Sequence, residues 1–407
     1  MKLLILDSPY SPYLNDLCKE IENFSSFECF KIDNTFSDYL YTNSMKRWRD
    51  EKKIDKLLFD EILNNSDFLR KSDLMADKNF SKSAIKYLNK IHAFHVQNKQ
   101  FTAIVYNDKR WNHSIAKEYF KKFSIQYFVI ERGLERGKTS TFSLDGLHSE
   151  SWFYENYGEI SKDPVIVDRP VFRGVKAQSS EAKSTASIPL FVLSLLIRKF
   201  EHLLIGKHVF HNDHNFIHYV HLAVRRVMRF RRKPIDIPDS FILFVGQLSN
   251  DAQLRVFSQY KSSIDAFQSY INASKTSENL IYAVHPNDSV GVEKKIQKLY
   301  PNVIIVRGVD QRLIKKASCV VSINSTVCYD ALVLGKKTVF LGESVLVNHP
   351  DAVTFEKESR TTKKRNTISA EMFMKLVTSY YQMPGDLHEY TDKEIQWTAI
   401  SLLSQLR

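Results

Sequence analysis

The sequence predicts an α/β protein of two domains, and three observations carry the prediction. The second half alternates short apolar runs with helix-like segments, the first half repeats that alternation less regularly, and the length of 407 residues exceeds one ordinary core. In the second half, Phe241–Val245, Leu280–Val284, Val303–Val306, Cys319–Ile323 and Thr338–Leu341 read as buried strands. They are β-branched or aromatic and lack the alternation of a half-exposed sheet. Between them, 252–273, 291–299, 310–316 and 327–334 read as helices, the last closed by Gly335 and two lysines. Strand–helix alternation of this kind implies a parallel sheet covered on both faces.

The first half offers strands at Leu3–Leu6, Phe27–Ile32, Ala103–Tyr106 and Gln126–Ile130, and helical patterns over 41–63, 81–96 and 114–123. It is therefore also α/β, with a helical insertion after its second strand. Pro234 and Pro238 punctuate the chain just before Phe241. The reading is a first domain over 1–235, a second over 236–385, and a detached terminal helix over 386–407.

Composition narrows the function classes. Hydrophobic residues make up 43% and charged residues 26%, with 27 Phe and 19 Tyr, which excludes a disordered chain. Gly and Pro number only 12 and 11, and no fixed repeat is visible. Fifty-eight basic against 46 acidic side chains give a net charge of +12, so anionic partners are expected: nucleotides, acidic glycans, phospholipid head groups or nucleic acid. Cys18, Cys29, Cys319 and Cys328 form no metal-binding spacing and read as structural thiols. The apolar run Leu3–Leu6 is too short for a signal peptide, and no stretch approaches the 18 apolar residues of a membrane span.

Three segments are placed where chemistry is done. His285-Pro286-Asn287-Asp288 follows a predicted strand, the usual ligand edge of an open α/β sheet, where an imidazole can donate to a phosphate. The same dipeptide is also an ordinary turn. Ser322-Ile323-Asn324-Ser325-Thr326 ends another strand and opens a helix, either as a simple cap or as donors to an anion. One turn on, Asp330 can reach a ribose, or sit solvated. In the first half Glu131, Arg132, Gly133, Arg136, Lys138 and Asp145-Gly146 follow a strand as a long loop. They could serve acid/base or nucleophilic work on an anionic sugar, or form a surface hairpin. A basic run, Arg225–Lys233, suits a membrane surface or an acidic glycan but carries no nucleic-acid-binding signature. His211, His214 and His218 lack a carboxylate partner motif, and no P-loop, GxGxxG or GxSxG is present.

The order of these segments resembles the capsular polysaccharide and O-antigen β-Kdo transferases. Glu131-Arg132-Gly133-Leu134 and Asp145 stand at the spacing of that family's Glu-x-Gly-Leu-Leu loop and its downstream Asp. The segment Gln247–Gln253 is similar to the family's Asn-Asp-x-Gln opening of the second domain. Glu135 and Arg136 replace the family's second Leu and following Pro. The resemblance implies a GT-B-like fold, two Rossmann-like domains with a cleft between them, the terminal helix crossing back to the first. It implies transfer of an acidic sugar, Kdo from CMP-Kdo with retention, onto a surface polysaccharide or glycolipid. Asp145 would be the nucleophile, with Glu131 and Arg132 beside it. His285, Pro286, Asn287, Ser322, Asn324, Ser325, Thr326, Asp330 and Lys138 would hold the nucleotide sugar. No metal and no cofactor beyond the CMP-sugar donor is implied. The expected partners are donor, glycan acceptor and an anionic membrane surface, in the cytoplasm. An inverting CMP-sialic acid-dependent transferase is the alternative enzyme. A non-catalytic basic protein binding glycan or nucleic acid is the alternative of another class.

Overall fold

The computed structural model describes residues 1–6, 11–33, 40, 45–76, 78–107, 109–166, 183–184, 193–194, 196–197, 200–201, 236–248, 251–274, 276–288, 290–355 and 368–406. The basic run Arg225–Lys233, the histidines at 211, 214 and 218, and Asn250 lie outside the described residues. The chain divides into two compact units, Met1–His211 with Lys375–Arg407, and Asn212–Met374. The chain thus rejoins the first unit at Lys375, earlier than the expected 386.

The first unit is built on β1 (Lys2–Leu6), β2 (Glu28–Ile32), β3 (Lys46–Arg47), β4 (Phe101–Tyr106), β5 (Tyr127–Arg132), β6 (Thr139–Leu144) and β14 (Gln382–Pro384). Their order in the sheet is β14-β6-β5-β4-β1-β2-β3. β1 to β5 are parallel, while β6 is antiparallel to both β5 and β14. Strand alternation explains the two faces. Leu3 and Ile5 join Leu14, Leu17 and Ile21 of the helix Tyr13–Phe24 and Ile395, Ala399 and Leu402 of the helix Asp392–Gln405. The terminal helix therefore packs on the first helix. Leu4 and Leu6 are buried on the opposite face. The rings of Phe94, Phe101, Phe120 and Tyr127 form a chain of contacts with centroids 5.0–6.2 Å apart, each pair worth about 0.5–1.5 kcal/mol beyond its buried area.

The second unit has β8 (Ile242–Val245), β9 (Leu280–Val284), β10 (Ile304–Arg307), β11 (Cys319–Ser322), β12 (Thr338–Phe340) and β13 (Ala352–Thr354), all parallel. The sheet order β10-β9-β8-β11-β12-β13 is the doubly wound 3-2-1-4-5-6 pattern when counted within the unit. Ile242, Phe244, Tyr282 and Val284 pack on one face against Ile264, Phe267 and Ile296, and Leu243, Val245, Ile281 and Ala283 on the other against Leu313, Ile314 and Ala331. Burial on both faces is why these strands read as continuous apolar runs.

Four expectations are corrected. Of the helix expected over 41–63, residues 41–44 lie outside the described residues; from residue 45 on, the helix begins at Lys56, where Asp55 accepts from the amides of Leu57 (2.9 Å) and Leu58 (3.3 Å), and Lys46–Arg47 pairs with β2 as a strand. The helix expected over 252–273 is two helices, Ala252–Val256 and Ser263–Ser274. Ser258 turns back to donate to Leu254 O (2.7 Å), and Ser263 Oγ donates to Gln247 O (2.9 Å), tying the second helix start to the end of β8. The terminal helix starts at Asp392, behind a Thr391/Glu394 capping box. Before it, β15 (Glu389–Tyr390) pairs with β7 (Lys183–Ser184). Finally, residues 131–145 are not a loop but the β5–β6 hairpin. Among the described residues, no helix is long and apolar enough to cross a membrane.

Candidate functional site

In the second unit the sheet order reverses between β8 and β11, and their carboxyl ends mark the place where open α/β sheets take ligands. Two buried amides bridge that gap. Gln247 Nε2 donates to Asn324 Oδ1 (2.8 Å), the Asn324 backbone N–H donates to Gln247 Oε1 (3.1 Å), and Asn324 Nδ2 donates to Glu343 O (3.3 Å). Gln247 N donates to Ser263 Oγ (2.7 Å), so the β8 loop is fixed from both sides. A side chain at Gly246 would press on Tyr282, whose hydroxyl lies 2.8 Å from the position of a built Cβ.

The expected nucleotide-binding residues gather at this edge but divide by role. Ser322 is fully buried and donates to Val245 O (2.8 Å), which ties β11 to β8 and takes its hydroxyl away from any ligand. Asn324 organises the loop as described. Ser325 Oγ, and not Thr326, caps the helix Val327–Val333 by accepting from Val327 N (3.3 Å). Ser325, Thr326 and Asp330 remain partly exposed along that helix start. His285 follows β9, the neighbour of β8 on the far side from β11, so it shares the edge. Its Nδ1 accepts from Asn287 N (3.2 Å), while Pro286 and Asn287 are exposed. Sequence reasoning missed Arg307 and Glu293, which grip this turn. The available signal was a strand ending in Arg-Gly beside the strand that ends in His-Pro.

In the first unit the hairpin sorts the expected residues by strand end. Glu131 and Arg132 close β5 at the carboxyl edge of the parallel strands. Asn107, which follows β4 with φ +55°, donates from Nδ2 to Glu131 Oε1 (3.2 Å). Arg132 Nε donates to Asp386 Oδ2 (3.1 Å). Asp386 is fully buried and also accepts from Gly137 N (3.2 Å) and His388 N (2.9 Å). Arg136, an exposed residue, lies within electrostatic reach of Glu131, Arg132 and Asp386. Burial and then Arg132 hold the His388 imidazole below its usual value. The guanidinium of Arg110 lies 4.6 Å from the Tyr106 ring. The strand-ending Tyr106 and Glu131 are thus surrounded by Asn107, Arg110, Arg132, Arg136, Asp386 and His388. Asp386, His388 and Asn107 were invisible to sequence reasoning, because two of them arrive from the far end of the chain.

Asp145 is not in this cluster. It follows β6 with φ +69°, its N–H donates to Tyr127 O (3.4 Å), and Tyr127 Oη donates back to its carbonyl (2.5 Å). It therefore sits beside Tyr127 at the start of β5, and Tyr127 is four residues from Glu131, about 13 Å along an extended strand. Burial raises its carboxyl pKa, opposed by Lys121. The expectation of one loop holding Glu131, Arg132, Lys138 and Asp145 together fails because β5 and β6 pair antiparallel. Lys138 lies in the hairpin turn, paired with Glu135. The turn closes tightly enough that a Cβ at Gly133 would overlap Thr139. Beyond Asp145, Glu150 accepts from two buried lysines, Lys109 (2.5 Å) and Lys117 (2.6 Å), which pin the segment after the hairpin.

The fold and these edges define a protein of two Rossmann-like α/β units, each with polar side chains collected where its parallel strands end. The chain belongs to the family of capsule polysaccharide biosynthesis proteins, whose pattern it matches over residues 102–377. It is 30% identical to Protein FixF of Sinorhizobium fredii over 115 residues, which is 27% of this chain and 28% of that relative. Among solved structures, it is similar to the β-Kdo 2,7 transferase of Thermosulfurimonas dismutans KpsC (12% identity, TM-score 0.47, 99% of each chain). It is also similar to the β-Kdo 2,4 transferase of the same protein (14% identity, TM-score 0.38, 73% of this chain and 86% of that one). A third likeness is to the UDP-GlcNAc 2-epimerase of Methanocaldococcus jannaschii (11% identity, TM-score 0.34, 99% and 100%).

Proposed function

We propose that the protein is a glycosyltransferase of capsule or related surface-polysaccharide synthesis that takes an acidic sugar, Kdo, from CMP-Kdo with retention of configuration. The observation that carries the reading is the Gln247–Asn324 bridge at the point where the second sheet reverses its order. It braces the edge to which His285, Ser325, Thr326 and Asp330 belong. There the phosphate of CMP would lie on the imidazole and the start of the helix Val327–Val333, with Asp330 one turn along for the ribose. Membership of the capsule polysaccharide biosynthesis family supports a sugar-transfer role.

In the first unit, the same reading assigns Arg132 and Arg136 to a carboxylate of an acidic sugar, because a guanidinium meets a carboxylate through paired hydrogen bonds. Glu131, oriented by Asn107, is then the carboxylate that acts on the sugar. Asp145 is the rival for that role and is separated from the arginines by the length of the hairpin.

The test is a donor screen with CMP-Kdo, CMP-sialic acid and UDP- and GDP-sugars, scoring release of the nucleotide and the anomer of the product. CMP release from CMP-Kdo with a retained anomer is expected. Glu131→Gln is expected to lose at least 100-fold in turnover, as removal of a positioned acid/base does, while Asp145→Asn keeps near-normal activity. The opposite pattern returns the nucleophile to Asp145. Turnover of CMP-sialic acid alone with an inverted anomer favours a sialyltransferase. No turnover of any donor by the folded protein rejects the enzyme reading.

A further inference from the structure

The turn that carries His285 is held partly by itself and partly by its neighbours. Pro286 has no N–H, and Asn287 N to His285 Nδ1 (3.2 Å) and Asp288 N to His285 O (2.9 Å) close the turn from within. Further support comes from the neighbouring strand. Arg307, the last residue of β10, sends Nη1 to three carbonyl oxygens of the turn: His285 (3.3 Å), Pro286 (3.2 Å) and Asp288 (2.9 Å). Its other side is fixed by Glu293, in the first turn of the helix Val290–Leu299. Nε donates to Glu293 Oε1 (2.7 Å), and Nη2 lies 2.6 Å from the same oxygen as an ion-pair contact. The Arg307 side chain is only 5% exposed.

Two consequences follow from this geometry. The first is electrostatic. Three peptide carbonyls turn their negative ends toward one guanidinium, which offsets their charge. Glu293 balances the charge of Arg307, so the pair adds no net attraction of its own and acts on shape. The second concerns the proton on His285. A ring nitrogen that accepts from Asn287 N–H cannot carry a proton, so this turn selects the neutral ring with its proton on Nε2, a donor. If the turn opens, the Asn287 contact is lost and the selection goes with it.

We propose that Arg307, oriented by Glu293, is the positioning residue of the His285 turn, fixing both the ring's orientation and its Nε2–H tautomer for the phosphate of the nucleotide donor. The phosphate half of this statement rests on the functional reading above; the tautomer half stands on the turn alone. In this role Arg307 acts through the turn and His285.

The experiment uses the full-length protein and three variants: Arg307→Lys, which keeps the charge but loses the fork, His285→Ala, and the two combined. The first readout is the nitrogen chemical shifts of the His285 ring in the nucleotide-free protein. Wild type is expected to show protonation at Nε2, and Arg307→Lys a mixture of tautomers with faster hydrogen exchange at the Asn287 and Asp288 amides. The second readout is the dissociation constant for CMP. Arg307→Lys is expected to weaken CMP about 10-fold and His285→Ala at least as much, the double variant being no weaker than His285→Ala alone. Should Arg307→Lys fail to fold, Glu293→Gln takes its place, with the same tautomer shift and a smaller loss of CMP affinity. Unchanged ring shifts and exchange rates in the folded variant overturn the proposal, as does a double variant whose losses multiply. A wild-type protein that ignores CMP, with the tautomer shift still seen in Arg307→Lys, would instead count against the donor assignment alone, which separates the two failures.

Discussion

The Gln247–Asn324 bridge gives a double-mutant cycle whose outcome can be worked from its hydrogen bonds. Both side chains are buried, at 7% and 5% exposure. In Asn324→Ala, Gln247 Nε2 loses its acceptor inside the unit, while Glu343 O, on an exposed residue, can turn to water. One buried orphan costs about 1–3 kcal/mol. In Gln247→Ala two groups are stranded, the Asn324 N–H and its Oδ1, for about 2–4 kcal/mol. The double variant strands only the backbone N–H at 324, for about 1–3 kcal/mol. The singles therefore sum to well above the double, with a coupling of roughly 2–3 kcal/mol, at the upper end for residues in contact. All four tryptophans, Trp48, Trp111, Trp152 and Trp397, lie outside 212–374, so their fluorescence does not report on this unit. Urea unfolding followed by far-UV circular dichroism, with hydrogen exchange of the amides of β8 and β11, is the suitable assay. Each unit is fitted as its own transition, since two units need not unfold together. Additivity of the singles within about 0.5 kcal/mol would refute the reasoning, because it means the two amides do not satisfy each other.

Three further outcomes follow from the first unit. Glu150→Gln removes the carboxylate that Lys109 and Lys117, both nearly inaccessible, share; a loss of about 1–3 kcal/mol is expected, read by tryptophan fluorescence in urea, and no measurable loss would contradict it. Asp386→Asn keeps the shape but weakens the grip on Arg132, Gly137 N and His388 N. With Arg132 partly solvated, a stability loss of about 1–2 kcal/mol is expected, together with lower turnover of any accepted donor; unchanged turnover would place Asp386 outside the site's support. Burial, then Arg132, keeps the folded-state pKa of His388 below its unfolded value, and burial does the same for His92 and His95. The folded unit therefore binds fewer protons than the unfolded one below about pH 6.5. Stability is full above that value and is lost as pH falls toward the depressed folded pKa, so the melting temperature by fluorescence should be lower at pH 5.5 than at pH 7.5, less so in His388→Gln. A flat or rising profile on acidification would count against it.

The sequence by itself determined the second unit almost strand for strand. Its strands are covered on both faces, so each appears as an unbroken apolar run, and the helix starts and stops carry their own signals, such as Asp310, which accepts from Leu313 N (2.8 Å), and Gly335 at φ +67°. It also placed His285, Ser325 and Thr326 correctly at strand ends, because the end of an apolar run is a local property. The tertiary structure alone decided which of these residues are committed inward. Ser322 and Asn324 look like ligand donors beside Ser325 until β8 supplies the Val245 carbonyl and Gln247, some 77 residues earlier, as their partners. It alone decided that Glu131 and Asp145 part company, since a stretch of 15 residues reads equally as a loop or as an antiparallel hairpin until pairing with β5 is seen. And it alone brought Asp386 and His388 beside Arg132, a contact across 254 residues of chain that no local pattern encodes. Periodicity and capping are written within one turn or one strand, whereas the partner of a buried charge is set by which distant segment the fold returns to it.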